Sequence, residues 1–332
     1  MRPANARVQI DTADAAVTSA DFATAVRHFL SQQPRQLPSR FLYDPLGSAL
    51  FDAVCNLPWY RVTAGETRLL IGHGREILSS LCPLGRIVEL GAGNGDKLAA
   101  LLSSAPPRTT PLDLDLIDIS PAALATASRA LSAFDQVRVF AHESSYEDGL
   151  LRLGREPAAA GRTLMLFLGS NIGNYDPDCA AAFLLQARAA LRPGDALLLG
   201  TDLVKPETDL LMAYDDPLGV TAAFNRNLLV RINRELGGNF DLDGFAHRAV
   251  WNARASRVEM HLVSTRAQRV RVPHADDLEI AFHAGEHIWT ESSYKFVPGT
   301  VAARLSEAGF TPREQWIDRD AQFALTLALT SP

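Results

Sequence analysis

Hydrophobic positions change their period along this chain, and the changes divide it. Ala20–Leu30 and Ala64–Ser80 carry apolar residues at helical spacing, and Ala49–Leu57 reads the same way. Pro34 to Pro38 and Leu57-Pro-Trp-Tyr60 interrupt them. Such an N-terminal cap either closes over a ligand or is a pair of packing helices; the pattern fits both. From Arg86 short apolar runs alternate with helical stretches. The runs are Ile87–Leu90, Leu112–Ile119, Val137–Ala141, Leu164–Leu168 and Asp195–Thr201; helices are expected from Asp96, over Ala122–Leu131 and over Asp176–Leu191. Ser120 followed by Pro121 is a helix start: a side-chain cap, then a residue already fixed at helical φ. This alternation predicts a parallel sheet covered on both faces. Beyond Asp202 the texture shifts. Tyr214 to Leu236 is largely helical, then Ala246–Trp251, Val258–Ser264, Arg269–Val272 and Leu278–Phe282 alternate apolar and polar, as half-buried antiparallel strands do. A helix-like Gly299–Gly309 and strand-like Gln315–Ile317 and Phe323–Leu329 close the chain.

Candidate chemistry gathers at the expected C-terminal edge of the parallel strands, where such sheets bind ligands. The first run ends in Glu89-Leu-Gly-Ala-Gly-Asn-Gly95. Glycine there allows φ > 0 or close approach of a ligand to the backbone, and the following helix offers free N–H groups. Gly91, Gly93 and Gly95 give G-x-G-x-G, with Asp96 where a dinucleotide fold has its third glycine. The run resembles the first motif of class I S-adenosylmethionine (SAM) methyltransferases. Asp118 ends the second run, where a carboxylate suits a ribose diol; the plainer alternative is a solvated loop acid. Phe167-Leu-Gly-Ser-Asn-Ile-Gly-Asn-Tyr175 follows the fourth run. Asn174 can accept from an amine and donate to a carboxylate at once, or simply cap the next helix.

Composition narrows the function class. Hydrophobic residues are 47% of the 332, enough for a sizeable core, and the net charge is −6, which argues against a nucleic-acid surface. Cys55, Cys82 and Cys179 form no C-x-x-C pair; they are expected as reduced, buried thiols in a cytoplasmic protein. There is no signal-like apolar region at the start and no apolar run near the ~20 residues a membrane span needs. The N-terminal dozen residues are expected to be loosely ordered. His283-Ala-Gly-Glu-His287 fits a zinc-protease spacing, but Gly285 and the flanking alternation point to a hairpin turn, so no metal is expected. Glu291-Ser-Ser-Tyr-Lys295 reads as a solvated turn or as a pocket wall.

Longer motifs carry a more specific resemblance. Ser39–Ser48 with Leu57–Tyr60, Phe167–Asn174, Gly200-Thr-Asp-Leu-Val-Lys205, Ala213–Asn225, Asn239–Asp243, Val258–His261 and Thr290–Phe296 are together similar to the histidine Nα-methyltransferases of ergothioneine biosynthesis, from about residue 36 onward. The resemblance implies an α/β fold: a class I SAM-methyltransferase (Rossmann-like) core with an inserted α+β substrate-binding domain. The implied divisions are 1–202 for the helical cap and core, 203–294 for the insertion, and 295–332 for the helix and strands completing the core. It implies SAM as methyl donor and an amino-acid substrate, with no nucleic-acid or membrane partner, in a monomer. Cofactor residues carry over to Gly91, Gly93, Lys97 and Asp118, and the adenine-side Asp-Phe pair falls on Ser145 and Tyr146, a departure that removes a carboxylate. Substrate contacts carry over to Tyr60, Gly169, Asn174, Tyr214, Met260, Glu291 and Ser293. The implied reaction is in-line transfer from the sulfonium to a neutral α-amine, repeated to the trimethylammonium product hercynine. Alignment is its main device. Asn174 would hold the amine, and Tyr43 or a water near Asn174 would relay its proton. Glu291 beside Met260 favours an imidazole N–H over the side chain of tryptophan, because a buried carboxylate without a partner is costly.

Overall fold

The structure is a computed structural model that describes residues 8–11, 19–105, 110–156 and 160–331. The chain forms two compact units, one of Val62–Val204 and Lys295–Pro332 with the N-terminal segment, the other of Val17–Arg61 and Lys205–Tyr294. In chain order the elements up to the first unit's glycine loop are β1 (Val8–Asp11), α1 (Ser19–Leu30), β2 (Arg35–Gln36), α2 (Pro45–Cys55), α3 (Arg61–Ser79) and β3 (Leu84–Leu90). There follow α4 (Asp96–Ser103), β4 (Leu112–Asp118), α5 (Pro121–Leu131), β5 (Val137–Glu143), α6 (Tyr146–Arg155), β6 (Arg162–Phe167), α7 (Pro177–Ala190) and β7 (Ala196–Asp202).

Five of these strands, β3 to β7, build a parallel sheet in the order β5-β4-β3-β6-β7, with β1 added parallel at its edge. The alternating runs therefore form the two-face-covered sheet that the pattern predicts. Every residue of β7 is buried, as are Ile87, Val88 and Leu90 of β3, which is why these runs read as continuous rather than alternating. Ser120 caps α5 by accepting from the Ala123 N–H at 3.3 Å, with Pro121 at its first position. Val8–Asp11 pairs with Val139–His142, so part of the N-terminal stretch expected to be loose is a strand; the remainder of that stretch lies outside the described residues.

The rest of the chain supplies α8 (Glu207–Tyr214), α9 (Val220–Leu236), β8 (Phe245–Asn252), β9 (Arg257–Ser264), β10 (Gln268–Val272), β11 (Leu278–Phe282), β12 (His287–Tyr294), α10 (Pro298–Glu307), β13 (Phe310–Asp318) and β14 (Phe323–Thr330). The last helix and two strands return to the first unit. There β14 runs antiparallel beside β7, and β13 forms the edge. A mostly parallel sheet closed by an antiparallel final pair is the class I methyltransferase arrangement that the sequence resemblance implies.

In the second unit β8, β9 and β12 form an antiparallel sheet, with the short β2 beside β12, and β10 and β11 form a separate ribbon. The expected single helical stretch from Tyr214 is two helices. Asp216 separates them: its carboxylate accepts from the backbone N–H groups of Leu218, Val220 and Thr221 at 3.0, 3.2 and 2.7 Å, capping α9. Among the described residues no helix is long and apolar enough to cross a membrane.

Candidate active site

Three glycines shape the loop between β3 and α4, each at positive φ: Gly91 at 81°, Gly93 at 51° and Gly95 at 84°. Their roles differ. A Cβ on Gly91 would stand 2.7 Å from the Tyr146 hydroxyl, and one on Gly95 would stand 2.9 Å from the Ala127 backbone. A Cβ on Gly93 would meet nothing within 4 Å, so only this glycine faces open space. Its N–H donates to Asp118 Oδ2 at 3.1 Å, while Ser120 N–H donates to Oδ1 at 2.9 Å. Burial pushes the Asp118 carboxyl upward, and the backbone N–H groups around it oppose that shift. Gly91, Gly93 and Asp118 are thus brought together, with Tyr146 packed against the loop and edge-on to Phe167 at 5.4 Å.

Ser145 has a local task. It caps α6, accepting from Asp148 N–H at 3.1 Å and donating to the Asp148 carboxylate at 2.7 Å. The serine hydroxyl thus satisfies one of the free N–H groups at the helix start. The loss of a carboxylate at this position therefore keeps the helix start intact.

A buried acid that sequence reasoning missed joins the two loops of this unit. Glu66 of α3 is fully buried, and both of its oxygens accept from Gly169 N–H at 2.9 Å. Its Oε2 lies 2.7 Å from Lys97 Nζ, so Lys97 at the start of α4 and Gly169 share one carboxylate. Two glycines make room. A Cβ on Gly200 would stand 2.0 Å from Glu66 Oε1, and one on Gly169 would stand 2.9 Å from Lys97 Nζ. The signal was available: Glu66 occupies the buried stripe of α3 shared by Val62, Leu69, Leu70 and Ile77. Beside this group Glu89 is buried, and one of its oxygens has no hydrogen-bond partner among the described residues. Burial raises its carboxyl to about 8, helped by the nearby acids Glu66 and Asp118 and opposed by Lys97.

Gly169, at φ 73°, leads into a short 3-10 turn, Asn171–Asn174. Asn174 does not cap the following helix; Asp176 stands at that position, and no side chain makes the capping bond.

The remaining assigned residues belong to the second unit. Tyr43, Phe51, Phe224, Tyr60 and Tyr214 form a chain of ring contacts, with centroids 5.4 Å apart for Tyr43–Phe51, 5.5 Å for Phe51–Phe224, 6.3 Å for Phe51–Tyr60 and 6.1 Å for Tyr60–Tyr214. Asp44 fixes the backbone beside Tyr43. It accepts from Gly47 N–H, Asn227 and Arg234, which together outweigh burial and hold its carboxyl below the usual range. The Tyr214 hydroxyl is 2.8 Å from Ser293 Oγ. On the sheet, Met260 pairs with Ala249 on one side and Glu291 on the other.

A β-bulge puts Glu291 there. His261 pairs with Trp289 and Met260 pairs with Glu291, leaving Thr290 as the extra residue. The bulge turns Glu291 and Ser293 onto the face that carries Met260 and Val258. Segment Glu291–Tyr294 is therefore strand, not a solvated turn. His283–His287 is the connection from β11 to β12, with Gly285 at φ 83° and Glu286 paired to Arg35 at 2.7 Å, so its histidines do not share a helix face. Among the described residues no three His, Cys, Asp or Glu side chains are grouped to hold a metal ion. The expectation of buried cysteines is corrected: Cys82 and Cys179 are exposed, and Cys55 is half-buried.

The chain is 42% identical over 304 residues to a histidine N-alpha-methyltransferase of Mycobacterium tuberculosis, covering 90% of this chain and 92% of that one. It is also 42% identical over 305 residues to the protein of the same description in Mycolicibacterium smegmatis, covering 92% and 93%. It is 30% identical over 211 residues to ergothioneine biosynthesis protein 1 of Neurospora crassa, covering 64% of this chain and 24% of that one. The family profile described as histidine-specific methyltransferase, SAM-dependent, matches residues 22–330, and the chain belongs to that family.

Proposed function

We infer that this protein transfers methyl groups from SAM to the α-amine of L-histidine, up to the trimethylated product hercynine, as the first step of ergothioneine biosynthesis. The observation that carries the choice of histidine is the bulge-directed row Ala249–Met260–Glu291, with Ser293 and Tyr214 hydrogen-bonded beside it. It sets a carboxylate and two hydroxyls beside the apolar Ala249, Met260 and Val258. An imidazole N–H donates to such a carboxylate, whereas an apolar ring offers it no donor in exchange for the hydration it displaces.

The first unit's residues fit SAM. Gly93 leaves backbone open to a ligand, Asp118 has acceptor capacity beyond its two backbone N–H groups, and the orphan Glu89 oxygen can receive an ammonium donor. Gly91, Gly93, Asp118, Lys97, Ser145 and Tyr146 would hold the donor. When bound, SAM supplies an electrophilic methyl group on a positively charged sulfur. The protein's own part is placement. Asn174 and Tyr214 hold the α-carbon substituents of the acceptor, Gly169 lets the loop approach it, and Tyr60 and Met260 line it. Glu291 and Ser293 take the imidazole N–H groups. Tyr43 stands in the aromatic wall as the group that relays the amine's proton to water.

Incubating the protein with SAM and an equimolar mixture of amino acids tests the substrate. Histidine is expected to be consumed first; preferential methylation of tryptophan would overturn the assignment.

A further inference from the structure

His247 lies on β8 two residues from Ala249, so it shares the face that carries Met260 and Glu291. Its side chain is 1% exposed, and both ring nitrogens are engaged. Nε2 is 2.8 Å from the Tyr214 carbonyl oxygen, and Nδ1 is 2.9 Å from Asn225 Nδ2. Asn225 is fully buried, and its Nδ2 also donates to the His261 carbonyl at 3.2 Å. An amide nitrogen only donates, so Nδ1 of His247 must accept, and the ring's one proton sits on Nε2 and donates to Tyr214. Tyr214 is the last residue of α8, where a helix leaves carbonyls without internal partners.

We propose that His247 is a positioning residue for the acceptor: by holding the Tyr214 end of α8 it sets the Tyr214 hydroxyl against Ser293. The inference rests on Tyr214 being an acceptor-binding residue, as read above. Three ionisable groups besides Tyr214 act on the ring: Asp215, with Oδ1 at 3.9 Å from Nε2, Asp216 and Arg226. Burial, the largest influence, favours the neutral ring and keeps its titration below the usual histidine range.

Two measurements test this. In the first, His247→Leu removes the donor and His247→Gln keeps one N–H. The leucine variant should raise KM for histidine about tenfold, the loss of roughly one hydrogen bond to a fixed carbonyl, with kcat within about twofold. Affinity for S-adenosylhomocysteine should not change, the glutamine variant should recover most of the loss, and His247→Leu added to Tyr214→Phe should cost little more than Tyr214→Phe alone. Unchanged KM in His247→Leu, or two defects that multiply, would overturn the proposal. The second is a nitrogen-15 NMR titration of the wild-type protein, which needs no turnover. The His247 ring should keep its proton on Nε2 and titrate below the ordinary histidine range. A ring that titrates normally defeats the inference whatever the substrate proves to be. Absence of any methyl transfer to histidine by the wild type defeats the functional reading instead.

Discussion

Glu291 and Glu89 are strand carboxylates with opposite uses. Glu291, opposite Met260 on the sheet, is proposed to select the imidazole. Glu291→Ala should raise KM for histidine by about tenfold or more and relax selectivity toward aromatic amino acids; unchanged histidine kinetics would show that the carboxylate lies outside the pocket. Glu89 affects stability instead. Below its ordinary 4.5 both folded and unfolded chains hold it protonated, and between there and about 8 only the unfolded chain releases the proton. Its contribution to stability therefore falls as pH rises through that window and levels off above it. Glu89→Gln should melt higher than wild type at pH 8, by on the order of a few kcal/mol, with the advantage fading toward pH 4.5. Equal melting shifts at both pH values would refute the buried-acid account. Of these residues Gly91, Gly93 and Asp118 were legible because a glycine-rich strand end followed by an acid is a local pattern. Glu66 was legible at most as an acid on the buried stripe of α3 and His247 not at all, because their partners lie in distant stretches: Glu66 with Lys97 and Gly169, His247 with Tyr214 and Asn225.

Elements were readable where the pattern is regular and missed where a backbone irregularity shifts its phase. Strands β3 to β7 were legible from their apolar runs, and α5 from its Ser-Pro start. Strand β12 is not legible as a strand, and its Glu291–Tyr294 end reads as a solvated turn or a pocket wall, because the bulge at Thr290 breaks its alternation: Ile288 and Thr290 are buried, and then burial resumes at Ser293. The same bulge brings Glu291 opposite Met260, so the irregularity that hid the strand also sets the row on which the proposed choice of histidine rests. Helix α6 carries Gly149 and Gly154, which weaken its helical signature, and starts from the Ser145 cap. Close packing around Glu66 gives the elements a sharp test. Gly200→Ala on β7 drives a methyl into the Glu66 carboxylate, and β7 is buried throughout. The substitution should lower stability by roughly 1–3 kcal/mol in denaturant unfolding. It should also weaken cofactor binding through displaced Lys97; a neutral effect on both would mean that the Glu66 carboxylate has room to move.

At the scale of the whole molecule, the proposed donor and acceptor residues follow the division into units. Gly91, Gly93, Lys97, Asp118, Ser145 and Tyr146 belong to the parallel-sheet unit with Gly169 and Asn174, whereas Tyr43, Tyr60, Tyr214, Met260, Glu291 and Ser293 belong to the other. The first set is built on strand ends and glycine turns, which suits a cofactor common to many methyltransferases. The second rests on an aromatic wall and a bulged antiparallel strand, where a single residue changes the polarity offered to a side chain. The histidine-specific family match spans residues of both sets. The most direct measurement is the mass of histidine recovered after incubation with the purified protein and excess SAM. The account predicts histidine carrying up to three added methyl groups, all on the α-nitrogen by fragmentation. Histidine recovered unchanged, or methylated on its ring, would contradict it.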